Sequence, residues 1–116
     1  MFNDQNMVKF FDFNKLSGLS YEERHKNVLY ETDEFKIRIV DLPENESLPE
    51  CDMATHVILV VLQGHVDVTI YGVVHHLSEK QSLVSEPALF SMHSQKGAKL
   101  MGIQIKKQRG SILWVG

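Results

Sequence analysis

The chain carries a single cysteine, Cys51, and three prolines in 116 residues. A lone thiol excludes a disulfide within the chain and any zinc cluster that draws two thiolates from one subunit, and it fits a reducing cytoplasm best. Excess positive charge is missing too. Twelve Lys and Arg against 15 Asp and Glu leave a formal charge of −3, so nothing would neutralise a run of phosphates, and neither nucleic acid nor an anionic membrane is an expected partner. The longest wholly apolar run is Val57 to Leu62, far short of the roughly 20 residues that span a bilayer. Met1 to Met7 show neither the basic nor the apolar region of an export signal. A phosphate-cradling glycine loop and a Gly-x-Ser-x-Gly elbow are both lacking, which removes nucleoside-triphosphate chemistry and the commonest serine nucleophile.

With 43% hydrophobic residues the chain reads as one soluble globular domain. Strand patterns dominate from Phe35 onward. Phe35, Ile37 and Ile39 alternate with Lys36 and Arg38, the period of a half-buried strand. Pro43 to Glu46 make a polar turn, and Pro49 is expected to break the next stretch. Val57 to Leu62 is β-branched and apolar at every position, as in a strand buried on both sides. Gln63-Gly64 is expected to end it, with His65 to Ile70 as its hairpin partner. Tyr71-Gly72 turns the chain, and Val73–Leu77, Ser82–Ser85, Leu89–Ser94 and Leu100–Ile105 follow as short strands between turn residues. Upstream, Val8–Phe13 and Asn27–Glu31 are candidate edge strands, and Ser20 and Glu23 at capping-box spacing suggest one helical turn over Tyr21–Lys26. Many short strands at this spacing mean an all-β sandwich or barrel. The apolar Ile112 to Val115 must dock on the barrel or on a neighbouring subunit.

The segment from Pro49 to Gly64, with Gln81 to Ala88 and Met92-His93 downstream, resembles the two conserved motifs of the cupin superfamily. The resemblance covers Phe35 to Lys106 and implies an all-β, cupin-type jelly-roll barrel over 35–106. It leaves an N-terminal extension over 1–34, with edge strands packing on the barrel, and an apolar C-terminal tail over 107–116. It further implies a pocket in the barrel mouth and a homodimer; activity varies so widely across such folds that none follows from the fold.

Metal-binding cupins carry two histidines one residue apart, then Glu or Gln, then a third histidine. Here those positions fall on Cys51, Met53, Val57 and Met92, with His93 one residue late. The resemblance therefore implies a metal-free apolar pocket lined by Cys51, Met53, Val57, Leu59, Val61 and Met92, with His56 and His93 as polar groups at its rim. Such a pocket would bind a small organic molecule, or the protein would be catalytically inactive. An alternative is a metal-dependent dioxygenase or isomerase that holds a divalent transition metal on His56, His93 and either Cys51 or Asp52, through a bulge and a one-residue slip. Cys51, Met53 and Met92 together would instead suit cuprous ion. A third possibility is an interaction module in which the tail containing Trp114 joins subunits. Of the neighbours His75 and His76, at most one can face the barrel interior. His65 and His25 read as solvated side chains, and the sequence fixes no carboxylate partner for any of them.

Overall fold

Apolar side chains at alternate positions and turn residues between them produce eight antiparallel strands among the residues that the structure describes. The computed structural model describes residues 7–19 and 21–106. A 3-10 helix, Tyr21–Asn27, precedes β1 (Val28–Glu31), β2 (Phe35–Leu42), β3 (Glu46–Met53), β4 (His56–Ile70), β5 (Val73–Ser78), β6 (Ser82–Ser85), β7 (Ala88–Ser94) and β8 (Ala98–Ile105). The helix falls where the sequence places a helical turn, with a kink at Glu23; Ser20 and the apolar segment Ile112 to Val115 lie outside the described residues.

The strands form two sheets that share β4. In the first the order is β1-β2-β8-β4-β6, and in the second it is β3-β7-β4-β5. The first half of β4 pairs with β8 and β6, and the second half pairs with β5 and β7. The two inner faces supply the core, where Val61, Val66, Val68 and Leu100 have no exposed surface. Each such side chain contributes roughly 1.5–3 kcal/mol of burial free energy. This is the curled antiparallel arrangement of a cupin jelly roll.

Four local expectations are corrected. Gln63-Gly64 does not end a strand: β4 runs through it as one 15-residue strand, and the hairpin partner of His65–Ile70 is β5. Gly64 makes this possible, because it takes φ +83° and a Cβ there would stand 2.2 Å from the Gly97 carbonyl oxygen. The strand bends at the crossing instead of turning back. Val57–Leu62 is not buried on both faces: Val57, Leu59 and Val61 are buried, whereas Ile58, Val60 and Leu62 are half-buried.

Pro49 does not interrupt β3, since β3 is an edge strand that pairs only with β7 and its register shifts between Leu48 and Cys51, where a missing N–H costs no ladder bond. Val8–Phe13 forms no strand. Side chains hold that stretch of chain instead: Lys99 Nζ donates to the Phe13 and Leu16 carbonyls, and the Gly18 N–H donates to Asp41 Oδ2 at 2.6 Å.

Candidate functional site

Pairing across the first sheet aligns Leu59 on β4 with Gly102 on β8 and Gly102 with Arg38 on β2. Cross-strand partners point to the same face, so Leu59 and Arg38 flank a position that has no side chain. The space above Gly102 is part of a cavity of about 190 Å³. Val57, Leu59, Phe90 and Met92 give it an apolar interior, and Cys51 and Met53 border it from β3. It reaches the edge strand β3 and the part of β2 beyond its pairing with β1, where Arg24 and Asn27 stand on one side and Leu48 and Pro49 on the other.

The polar groups in this cavity were not legible in the sequence, where Arg38 reads as the wet face of a strand. Its Nε donates to Gln104 Oε1 at 3.1 Å, and its Nη1 donates to the Arg24 carbonyl at 3.0 Å. Gln104 in turn directs Nε2 at the Met53 sulfur, 3.0 Å away. Among the described residues no carboxylate lies within ion-pair distance of Arg38.

Of the residues singled out in the sequence, Cys51, Met53, Val57, Leu59 and Met92 border the cavity. Val61 is wholly buried in the core, outside the lining. His56 is exposed at the start of β4. His93 pairs with Ser47 and Asp67 on the outer face of the second sheet, and its Nδ1 lies 2.7 Å from Ser47 Oγ. His56, His93 and Cys51 are therefore not gathered, and the bulge and slip that would gather them do not occur.

The ion that the fold implies for the barrel does not fit the groups present there. At the positions that the resemblance makes ligands, one thiol, two thioethers and a valine offer neither imidazole nor carboxylate to iron, manganese or zinc, and Asp41, the carboxylate in the cavity lining, accepts from the Gly18 N–H. For cuprous ion, the Met53 sulfur already accepts from Gln104.

A second cluster lies on the outer face of the second sheet. His65 and Asp67 are two apart on β4 and share a face; Asp67 pairs with His76 across the β4–β5 hairpin. The hairpin register follows from the two-residue turn Tyr71-Gly72, in which both residues have positive φ (49° and 80°). Asp67 Oδ1 lies 2.6 Å from His76 Nδ1 and 3.4 Å from His65 Nε2. The His76 hydrogen bond, helped by the charges of His76 and His65, holds the Asp67 carboxyl below its usual range against an opposing desolvation. His75, the neighbour of His76, pairs with the buried Val68 and belongs to the inner face. The carboxylate partner absent from the sequence reading is Asp67. Counting outward from Tyr71-Gly72 was the signal that could have found it.

No protein-family model matches the sequence, and no curated protein matches it. Two sheets joined through one long bent strand, with a cavity between them, define the class: a cupin-type jelly roll. Solved cupin superfamily structures share it. KdgF from a Halomonas species aligns with a TM-score of 0.70 at 13% identity over 90% of this chain and 99% of its own. A cupin superfamily protein from Desulfitobacterium hafniense gives 0.65 at 17% identity over 69% and 74%. An RmlC-like cupin from Shewanella frigidimarina gives 0.64 at 14% identity over 73% and 78%. Among the described residues no helix is long and apolar enough to cross a membrane.

Proposed function

We propose that the protein binds a small organic carboxylate in the cavity between its sheets, without a barrel metal ion. The observation that carries this reading is Arg38, a half-buried residue lining a largely apolar cavity, with no carboxylate in ion-pair reach of it among the described residues. A guanidinium has about five N–H donors, and the two bonds to Gln104 and the Arg24 carbonyl leave the others for a ligand. The Arg38 charge acts on Glu31 only from beyond ion-pair distance, and a bidentate carboxylate in direct contact offsets the cost of partly burying it. Size narrows the ligand. A cavity of about 150 Å³ admits benzene, so about 190 Å³ suits a single ring or short branched chain bearing one acidic group.

The test is calorimetric titration with a panel of aromatic and branched aliphatic acids and their neutral amides. Acids are expected to bind and amides to bind weakly. Arg38→Met should weaken the acids by roughly 1.5–3 kcal/mol, about ten- to a hundredfold in Kd. Gly102→Val should abolish binding without unfolding the protein, because a Cβ there meets only Leu59 Cδ2, at 3.6 Å. Amides that bind as well as acids, or an Arg38→Met protein that binds normally, would overturn the reading. The resemblance makes a homodimer part of this proposal and the lone thiol a cytoplasmic location; the mass of the protein in solution tests the dimer.

A further inference from the structure

We propose that His65, Asp67 and His76 form a binding site for a zinc-class divalent cation on the outer face of the second sheet. Among the described residues this is the one group of three His, Cys, Asp or Glu side chains whose ligand atoms all lie within 4.8 Å of one another. A tetrahedral zinc ion with bonds of about 2.0–2.1 Å sets its donor atoms roughly 3.3 Å apart. The Asp67 oxygen stands 2.6 Å from one imidazole nitrogen and 3.4 Å from the other, and the two nitrogens lie within 4.8 Å of each other, so side-chain adjustment on fixed strands brings the three donors around an ion. Two imidazoles and one carboxylate suit zinc or cupric ion, whereas magnesium and calcium prefer oxygen alone.

The support around the cluster is that of a ligating site. His65 Nδ1 lies 3.1 Å from Ser78 Oγ, which fixes the ring with Nε2 toward Asp67, as metal-bound histidines are fixed through their second nitrogen. The His65 backbone is tied down by the fully buried Ser94, whose Oγ donates to the His65 carbonyl. All three ligands sit on strands rather than loops. His65 and His76 are exposed, so an ion reaches the site from solvent and water completes its coordination. The site is independent of the cavity: it lies across the second sheet from Phe90 and Met92.

The test is equilibrium dialysis of the tag-free, chelator-stripped chain against zinc chloride, followed by metal analysis, with titration calorimetry for affinity. One zinc per chain is expected. His65→Gln, His76→Gln and Asp67→Asn should each weaken it about tenfold or more, whereas Cys51→Ser and His56→Gln should leave it unchanged. Zinc should also shift the ring resonances of His65 and His76 in the unaltered protein while those of His25, His56 and His75 stay put, a readout that needs no variant. A chain that takes up no zinc, zinc that survives all three substitutions, or zinc lost on Cys51→Ser would each overturn the proposal.

Discussion

Thr55 Oγ1 is buried without a hydrogen-bond partner, alone in this among the side-chain polar atoms of the described residues. An orphaned hydroxyl costs roughly 1–3 kcal/mol, and valine keeps the branched shape without the polar atom. Thr55→Val is therefore expected to stabilise the protein by about 1 kcal/mol, seen as a rise of several degrees in Tm. Asn27 is the opposite case. It is 6% exposed, yet its Oδ1 accepts from the Leu19 N–H at 2.7 Å and its Nδ2 donates to the Leu19 carbonyl at 3.1 Å. Asn27→Ala strands both backbone groups, and a loss of roughly 1–3 kcal/mol in urea denaturation is expected. In the sequence Asn27 opens a candidate strand. Its real role depends on where Leu19 returns, which no local pattern records.

Strands are where the sequence and the structure agree best and where their one large difference lies. Val57–Leu62 and His65–Ile70 each read as a strand because alternation and β-branching are local properties. Their union into β4 is not local: Gly64 between them looks like a turn until the Gly97 carbonyl closes against it. Two glycines with nearly equal φ separate these effects. At Gly72, φ is +80° and nothing lies within 4 Å of a Cβ, so Gly72→Ala should cost only the left-handed backbone penalty of about 1–2 kcal/mol. Gly64→Ala adds a collision at 2.2 Å with backbone. A loss exceeding about 3 kcal/mol, or failure to fold, is expected. Equal midpoints for the two variants in urea would contradict the role given to the crossing.

At the scale of the whole molecule, one exposed ion-pair group ties β1 to the end of β8. Glu31 Oε2 lies 2.7 Å from Lys106 Nζ and 3.8 Å from Lys36 Nζ. The Lys106 hydrogen bond is the largest of the effects that hold its carboxyl below the ordinary value. A carboxyl depressed in the folded state adds stability above its unfolded pKa and loses it as pH falls through the folded value. Glu31→Gln should therefore flatten the fall in Tm below roughly pH 4.3 and leave the rest of the profile in place, by a small amount because the pair is exposed. By itself the sequence determined the all-β class, the strands other than β3 and most of the turns. Each of these is written in neighbouring residues. Tertiary structure alone decided that β4 passes unbroken between the sheets, that Arg38 lies across Gly102 from Leu59, and that His93 faces away from the cavity. It also decided that Asp67 meets two histidines, although the hairpin count held half of that answer. The physical reason is register: which side chains meet is fixed by hydrogen-bonded pairing between strands distant in the chain, and a shift of one residue would exchange every face.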